Sequence, residues 1–207
     1  GTLDAPIRRL DERRFDAGMI LHPPSRPRRL AIPGLSATDR LSSALARHLD
    51  DDYHWFSHVA SGTAGPIDAV VVGPGGVWTL TLAGERGRFT RRNTGHWYRF
   101  NRSTESWVPW DPAPITAARL AARSLGLILE RAGVDASVEG VLVAPHDMSV
   151  EIPRGEDIGL KVEADADRLA AVVSREERLT LAQVDRIVAL LDPRQPLPRL
   201  AQATPGG

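Results

Sequence analysis

The chain offers chemistry first at Asp68, a lone acid in the apolar run Ile67 to Val72, IDAVVV. Such a run reads as a central strand buried on both faces, where a charged side chain is disfavoured. Asp68 therefore either accepts hydrogen bonds from backbone or arginine, or keeps a binding role. One chemistry that carboxylates on strands can serve is phosphodiester cleavage, in which they hold a metal that activates water and neutralises phosphate charge. A carboxylate and a lysine two residues apart on a strand share a face. With an aspartate on the neighbouring strand they can converge on one phosphate.

A second constellation follows at 86–102, RGRFTRRNTGHWYRFNR. It carries Arg86, Arg88, Arg91, Arg92, Arg99 and Arg102 with no acid, interleaved with Phe89, Trp97, Tyr98 and Phe100. Guanidinium groups pair with phosphates, and aromatic faces stack on exposed bases. Two readings are open: a nucleic-acid-binding hairpin, or a solvated hairpin whose aromatics cover a core edge.

Other constellations are weak. Cysteine is absent, which excludes disulfides, thiol nucleophiles and cysteine-type zinc sites. His54 and His58 on one strand would stand about 13 Å apart, too far for one ion. His146-Asp147 reads as a local hydrogen-bonded pair in a turn. The glycines of GPGG at 73–76 lack the lysine and hydroxyl of a phosphate loop and join two strands, so they read as a tight turn centred on Pro74 and Gly75. No Gly-x-Ser-x-Gly elbow is present.

These residues need a scaffold, and the composition provides one: 42% apolar and 25% charged residues in 207 describe a globular domain. A formal net charge of zero means that attraction for a polyanion must come from local asymmetry. Lys161 is the only lysine among 26 basic residues, and arginine carries the rest. No apolar stretch reaches the roughly 18–20 residues that span a bilayer. The charged start, GTLDAPIRRLDERRFD, does not read as a leader peptide. A cytoplasmic protein without a membrane partner is expected.

Residues 1–34 are rich in arginine and proline and read as a loosely packed arm. A helix capped by Ser36 or Thr38 runs to about His48, with Leu41, Leu45 and Leu49 on one face. Strands are expected at 53–59, 67–72 and 77–82, followed by a hairpin turning at Asn93-Thr94-Gly95. A long helix over 115–132 precedes a buried strand at 138–144 and a short one near 158–162. Helices near 165–173 and 180–191 close the domain, set at 35–192. Acids gathered in 156–177 read as a solvated surface. The tail 193–207 reads as flexible.

The stretch GPIDAVVVGPGGVWTLTL, the turn at Gly87, Trp97 and Asp111-Pro112 opening a helix together resemble the nuclease-related domain (NERD) family. That family is similar to the restriction-endonuclease-like, PD-(D/E)XK, nucleases, and the resemblance covers residues 35–191. It implies an α/β fold, a central mixed sheet flanked by helices, and a site made of one aspartate, Glu-x-Lys on the next strand, a glutamate in the first helix and a glutamine after Asn-Pro. The aspartate falls on Asp68. The glutamate and lysine fall on Thr81 and Ala83, the helix glutamate on Thr38 (Asp39 one residue later), and the glutamine on Ile115.

Most of the implied chemistry is therefore missing. Each lost electrostatic contributor in such a site costs on the order of 100- to 1,000-fold in rate. Glu85, about 7 Å beyond Ala83 on an extended strand, is one rescue. Arg86 or Arg88 could replace the lysine's charge but not its compact geometry. Three functions follow as expectations. The first is a non-catalytic binding module for nucleic acid or a protein partner, without cofactor. The second is an active nuclease using magnesium or manganese on Asp68, Glu85 and Asp39. The third is a protein-interaction domain without nucleic-acid contact.

Overall fold

In the computed structural model, which describes residues 19–22, 36–61 and 65–192, the apolar runs pair into two mixed sheets accompanied by four helices. In chain order the elements begin with β1 (Ile20–His22), α1 (Ala37–Leu45), β2 (His54–Ala60), β3 (Pro66–Gly73) and β4 (Gly76–Leu82). Next come β5 (Gly87–Arg91), β6 (Trp97–Asn101), β7 (Ser106–Pro109) and α2 (Ala113–Arg131). The last are β8 (Val138–Val143), β9 (Met148–Glu151), β10 (Lys161–Glu163), α3 (Ala166–Val173) and α4 (Leu181–Leu191). The first sheet runs β1-β2-β3-β4-β8-β10, antiparallel at β2-β3-β4 and parallel elsewhere. The second runs β7-β6-β5-β9.

Alternation along the central strands separates two cores. Ala69, Val71, Trp78 and Leu80 face one way, toward Leu45 and Leu49 near α1 and Leu169 and Val173 of α3. Val70, Val72 and Val77 face the other, toward Leu125 and Leu129 of α2 and Val184 and Ile187 of α4. A third cluster joins the second sheet to the start of α2 through Phe89, Trp97, Ile115, Leu142 and Met148. Three of the described helices begin at a side-chain cap, and α2 begins instead at Pro112. Ser36 and Asp39 form a capping box on α1, Asp165 caps α3, and Thr180 with Gln183 caps α4.

Part of the stretch read as an arm belongs to the sheet. Met19 is fully buried, and β1 pairs in parallel with β2, His22 lying opposite Phe56. Three residues between prolines and arginines carry too little periodicity to announce a strand; the edge of β2 selects them. The remaining arm and the tail after Asp192 lie outside the described residues.

The GPGG segment is a two-residue turn with Gly73 paired to Gly76, as its spacing predicts. The residue in the left-handed region is Gly76, φ +117°, just after the two central residues. The turn is packed from two sides. The Tyr53 ring lies against Gly73, and Val173 at the end of α3 lies against Gly75. The Pro74 carbonyl accepts the backbone N–H groups of Arg178 and Leu179. Burial raises the Tyr53 hydroxyl pKa above its ordinary value, while a hydrogen bond with the Gly75 backbone works the other way. These glycines allow close packing within the protein.

Candidate functional site

Asp68 stands where the strands change face. His58 opposite it has φ +53°, and no ladder pair joins the two, although Ser57 pairs with Ala69 and Val59 with Ile67. Strict alternation would send Val59 and Ile67 toward the α1 side; both instead join the α2 and α4 cluster. The β3-β4 ladder ends at Ala69 and Leu80, and beyond it Asp68 Oδ2 accepts the Leu82 backbone N–H at 2.8 Å. A side-chain carboxylate thus takes the place of a strand carbonyl. Of the two roles open to Asp68 in the sequence, the structure shows it accepting a backbone hydrogen bond.

Thr81 apart, the other motif positions do not converge on Asp68. Thr81 does share a small cavity with it, about 190 Å³, walled by Ser61, Ile67, Ala117, Leu120 and Ala121. Ala83 lies past the end of β4, its N–H bonded to the Val143 carbonyl, and packs against the third cluster. Ile115 is buried in that same cluster. Thr38 is buried at the start of α1, whose core lies on the opposite face of the first sheet from α2. Asp39 is engaged in the α1 cap, accepting the Ser36 N–H. Glu85 falls in the loop between β4 and β5, because the strand does not extend past Leu82 as its rescue role requires.

A magnesium or manganese ion does not fit this arrangement. Among the described residues Asp68 is the one carboxylate lining the cavity, and one of its oxygens is already bonded to Leu82. The remaining walls are a hydroxyl or two and apolar side chains, a poor donor set for a hard cation. Among the described residues no group of three histidines or carboxylates could hold a metal. His54 instead meets His22 across the β1-β2 pair, Nδ1 to Nε2 at 3.0 Å, a contact hidden from a reading without β1.

Replacing Asp68 by alanine would strand the Leu82 N–H in partly buried surroundings, at an expected cost of about 1–2 kcal/mol. Asparagine keeps an acceptor and should cost less than half of that. Urea unfolding of both variants measures the difference; equal losses would refute the acceptor role.

The basic segment forms the β5-β6 hairpin with its turn at Asn93-Thr94-Gly95, and strands on both sides complete a four-stranded sheet. Those neighbours bring acids. Arg86 pairs with Asp147 at 3.1 Å, Arg88 with Glu151 at 3.5 Å, and Arg91 with Glu156. Asp147 therefore reaches across to Arg86, where the sequence suggested a local pair with His146. Half of the segment's arginines thus have acidic partners. Arg92 lies over the Tyr98 ring at 4.4 Å, and Arg99 over Phe89 at 5.9 Å.

Beside the ends of β5 and β6 opens a groove of about 680 Å³, lined by Arg86, Arg99, Phe100, Arg102, Val108 and Asp147 among others. Among the described residues, three guanidinium groups against one carboxylate leave it cationic. Trp97, a binding candidate from the sequence, is buried in the third cluster and packs edge-on to Trp110. Trp107 was not among the candidates, yet it faces Phe100 across β6 and β7. Only strand pairing could have found it.

No protein-family model matches the chain, and neither does any curated protein or solved structure. What stands is a mixed α/β protein with two mixed sheets and four helices among the described residues, none of the helices long and apolar enough to cross a membrane.

Proposed function

We propose that this chain is a non-catalytic, nuclease-like binding module that holds nucleic acid in the cationic groove of its second sheet. The observation that carries this reading is the groove itself, which Arg86, Arg99 and Arg102 line together with Phe100. The resemblance of residues 35–191 to the NERD and restriction-endonuclease-like families supplies the class. The bonding of Asp68 to Leu82, with Thr81 and Ala83 where an acid and a lysine are expected, argues against hydrolysis. An active site built from Asp68, Glu85 and Asp39 finds no support, since the α1 cap holds Asp39 and the loop carries Glu85.

A protein-interaction reading draws on Leu120 and Leu127, seven apart on α2 and 48% and 40% exposed. Arginine geometry favours the nucleic-acid reading, because a guanidinium fork pairs two phosphate oxygens at once.

A paired assay tests the reading: cleavage of DNA and RNA with magnesium or manganese, beside a binding titration at 50 and 200 mM salt. Three phosphate contacts predict a roughly 20- to 40-fold loss of affinity over that range, for single and double strands respectively. No cleavage is expected. Failure to bind any nucleic acid at low salt would favour the protein-interaction reading, and metal-dependent cleavage lost with Asp68→Ala and with Glu85→Ala would establish an enzyme.

A further inference from the structure

We infer that the outward face of the second sheet is a stacking platform for unpaired bases, so that the groove's ligand is single-stranded nucleic acid. The inference rests on the nucleic-acid reading above and narrows it. Phe89 and Trp97 point inward, into the cluster with Ile115, Leu142 and Met148. Strand alternation sends Arg88, Tyr98 and Phe100 out on the other face. Register places Trp107 opposite Phe100, and the two rings meet edge to face at 5.3 Å. The inner cluster is built without these three aromatics.

Guanidinium groups complete the outward face. Arg88 lies 5.3 Å from the Phe100 centroid and 5.6 Å from that of Trp107, and Arg92 lies over Tyr98. Arginine planes and aromatic faces both stack on bases, whatever the base. The acid near Arg88 is Glu151 at 3.5 Å, and both side chains are more than half exposed, 54% and 59%. Such a surface pair is weak and readily exchanged for a ligand.

Spacing and continuity set the ligand class. Tyr98 and Phe100 are two residues apart on β6, about 7 Å along the strand. That suits bases splayed singly, and not the closed stack of a duplex at about 3.4 Å per step. Phe100 also lines the groove with Arg86 and Arg102, while Arg99 enters it from the inner face opposite Phe89, so one strand can pass from phosphates at the groove to bases on the rings. A duplex hides its base faces and can use the groove alone.

Four labelled probes at low salt test this with the unaltered protein: a 12-mer of oligothymidylate, its oligouridylate counterpart, an abasic 12-mer with the same phosphates, and a 12-base-pair duplex. The two single strands should bind at least tenfold more tightly than the abasic strand or the duplex, since each lost stack costs roughly tenfold. Comparing the first two separates DNA from RNA as the source. Trp107 fluorescence should be quenched on binding, and the quench should disappear in Trp107→Phe. Tyr98→Leu and Trp107→Leu should each weaken oligothymidylate binding roughly tenfold while leaving abasic-strand binding unchanged. Equal binding of all four probes overturns the platform and leaves the phosphate groove standing. Binding of none overturns both readings.

Discussion

Truncating Phe89 to alanine is expected to cost about 3–5 kcal/mol, the range for removing a fully buried aromatic ring. Phe89 has no exposed surface and stands on the inner face of β5, opposite Val150 of β9 and Arg99 of β6. Its ring packs on Trp110 at 4.4 Å within the cluster that holds the second sheet to α2. Little in that cluster can collapse into the space, because Trp97 of β6, Ile115 of α2 and Trp110 of the link between β7 and α2 are each fixed by a separate segment. At roughly 2–4 °C per kcal/mol for a protein of this size, the melting temperature should fall by about 10 °C. Phe89→Leu, which keeps most of the volume, should lose less than half as much. Denaturation showing a loss below about 1 kcal/mol for the alanine variant would mean that the second sheet is not anchored through this ring.

The second large effect is expected at Gly75. A Cβ built there would sit 1.8 Å from the Val173 carbonyl oxygen and 2.9 Å from its carbon. The obstruction is backbone at the end of α3, which cannot rotate away as a flexible side chain can. Overpacking of this kind costs typically about 1–3 kcal/mol and sometimes more, and Gly75→Ala should lie at the top of that range. Gly73→Ala meets the Tyr53 ring at 2.2 Å, so there the neighbour is a side chain. A Gly73→Ala, Tyr53→Leu double variant should lose less than the sum of the two single changes. Gly84→Ala, with nothing within 4 Å of its Cβ, is the neutral control. If Gly75→Ala melts with the unaltered protein, the turn is not seated against α3.

The central elements were legible because their signals are local and repeated. Leu41 and Leu45, the continuous run at 67–72, and the cap at Ser36 each follow from a period or from a side chain that satisfies a helix end, whereas the caps Asp165 and Thr180 emerged with the structure. The two closing helices fall within a residue of their expected positions for the same reason. The GPGG turn was legible as punctuation, but the packing that requires its glycines was not, since Tyr53 and Val173 are distant in sequence.

The candidate site was readable as chemistry present and chemistry missing. Residue types alone state that Thr81 and Ala83 carry no charge and that six arginines crowd into 86–102. Which of those arginines face acids, where Trp107 meets Phe100, and which atom bonds the Asp68 carboxylate depend on strand neighbours that the chain brings from afar. Periodicity specifies the face that a residue takes within its own strand; it holds no record of the partner strand. The sequence by itself therefore determined the segments and their charges. Tertiary pairing decided the second sheet, the change of face at His58 and Asp68, and the groove, because each arises from backbone groups finding hydrogen-bond partners far away in the chain.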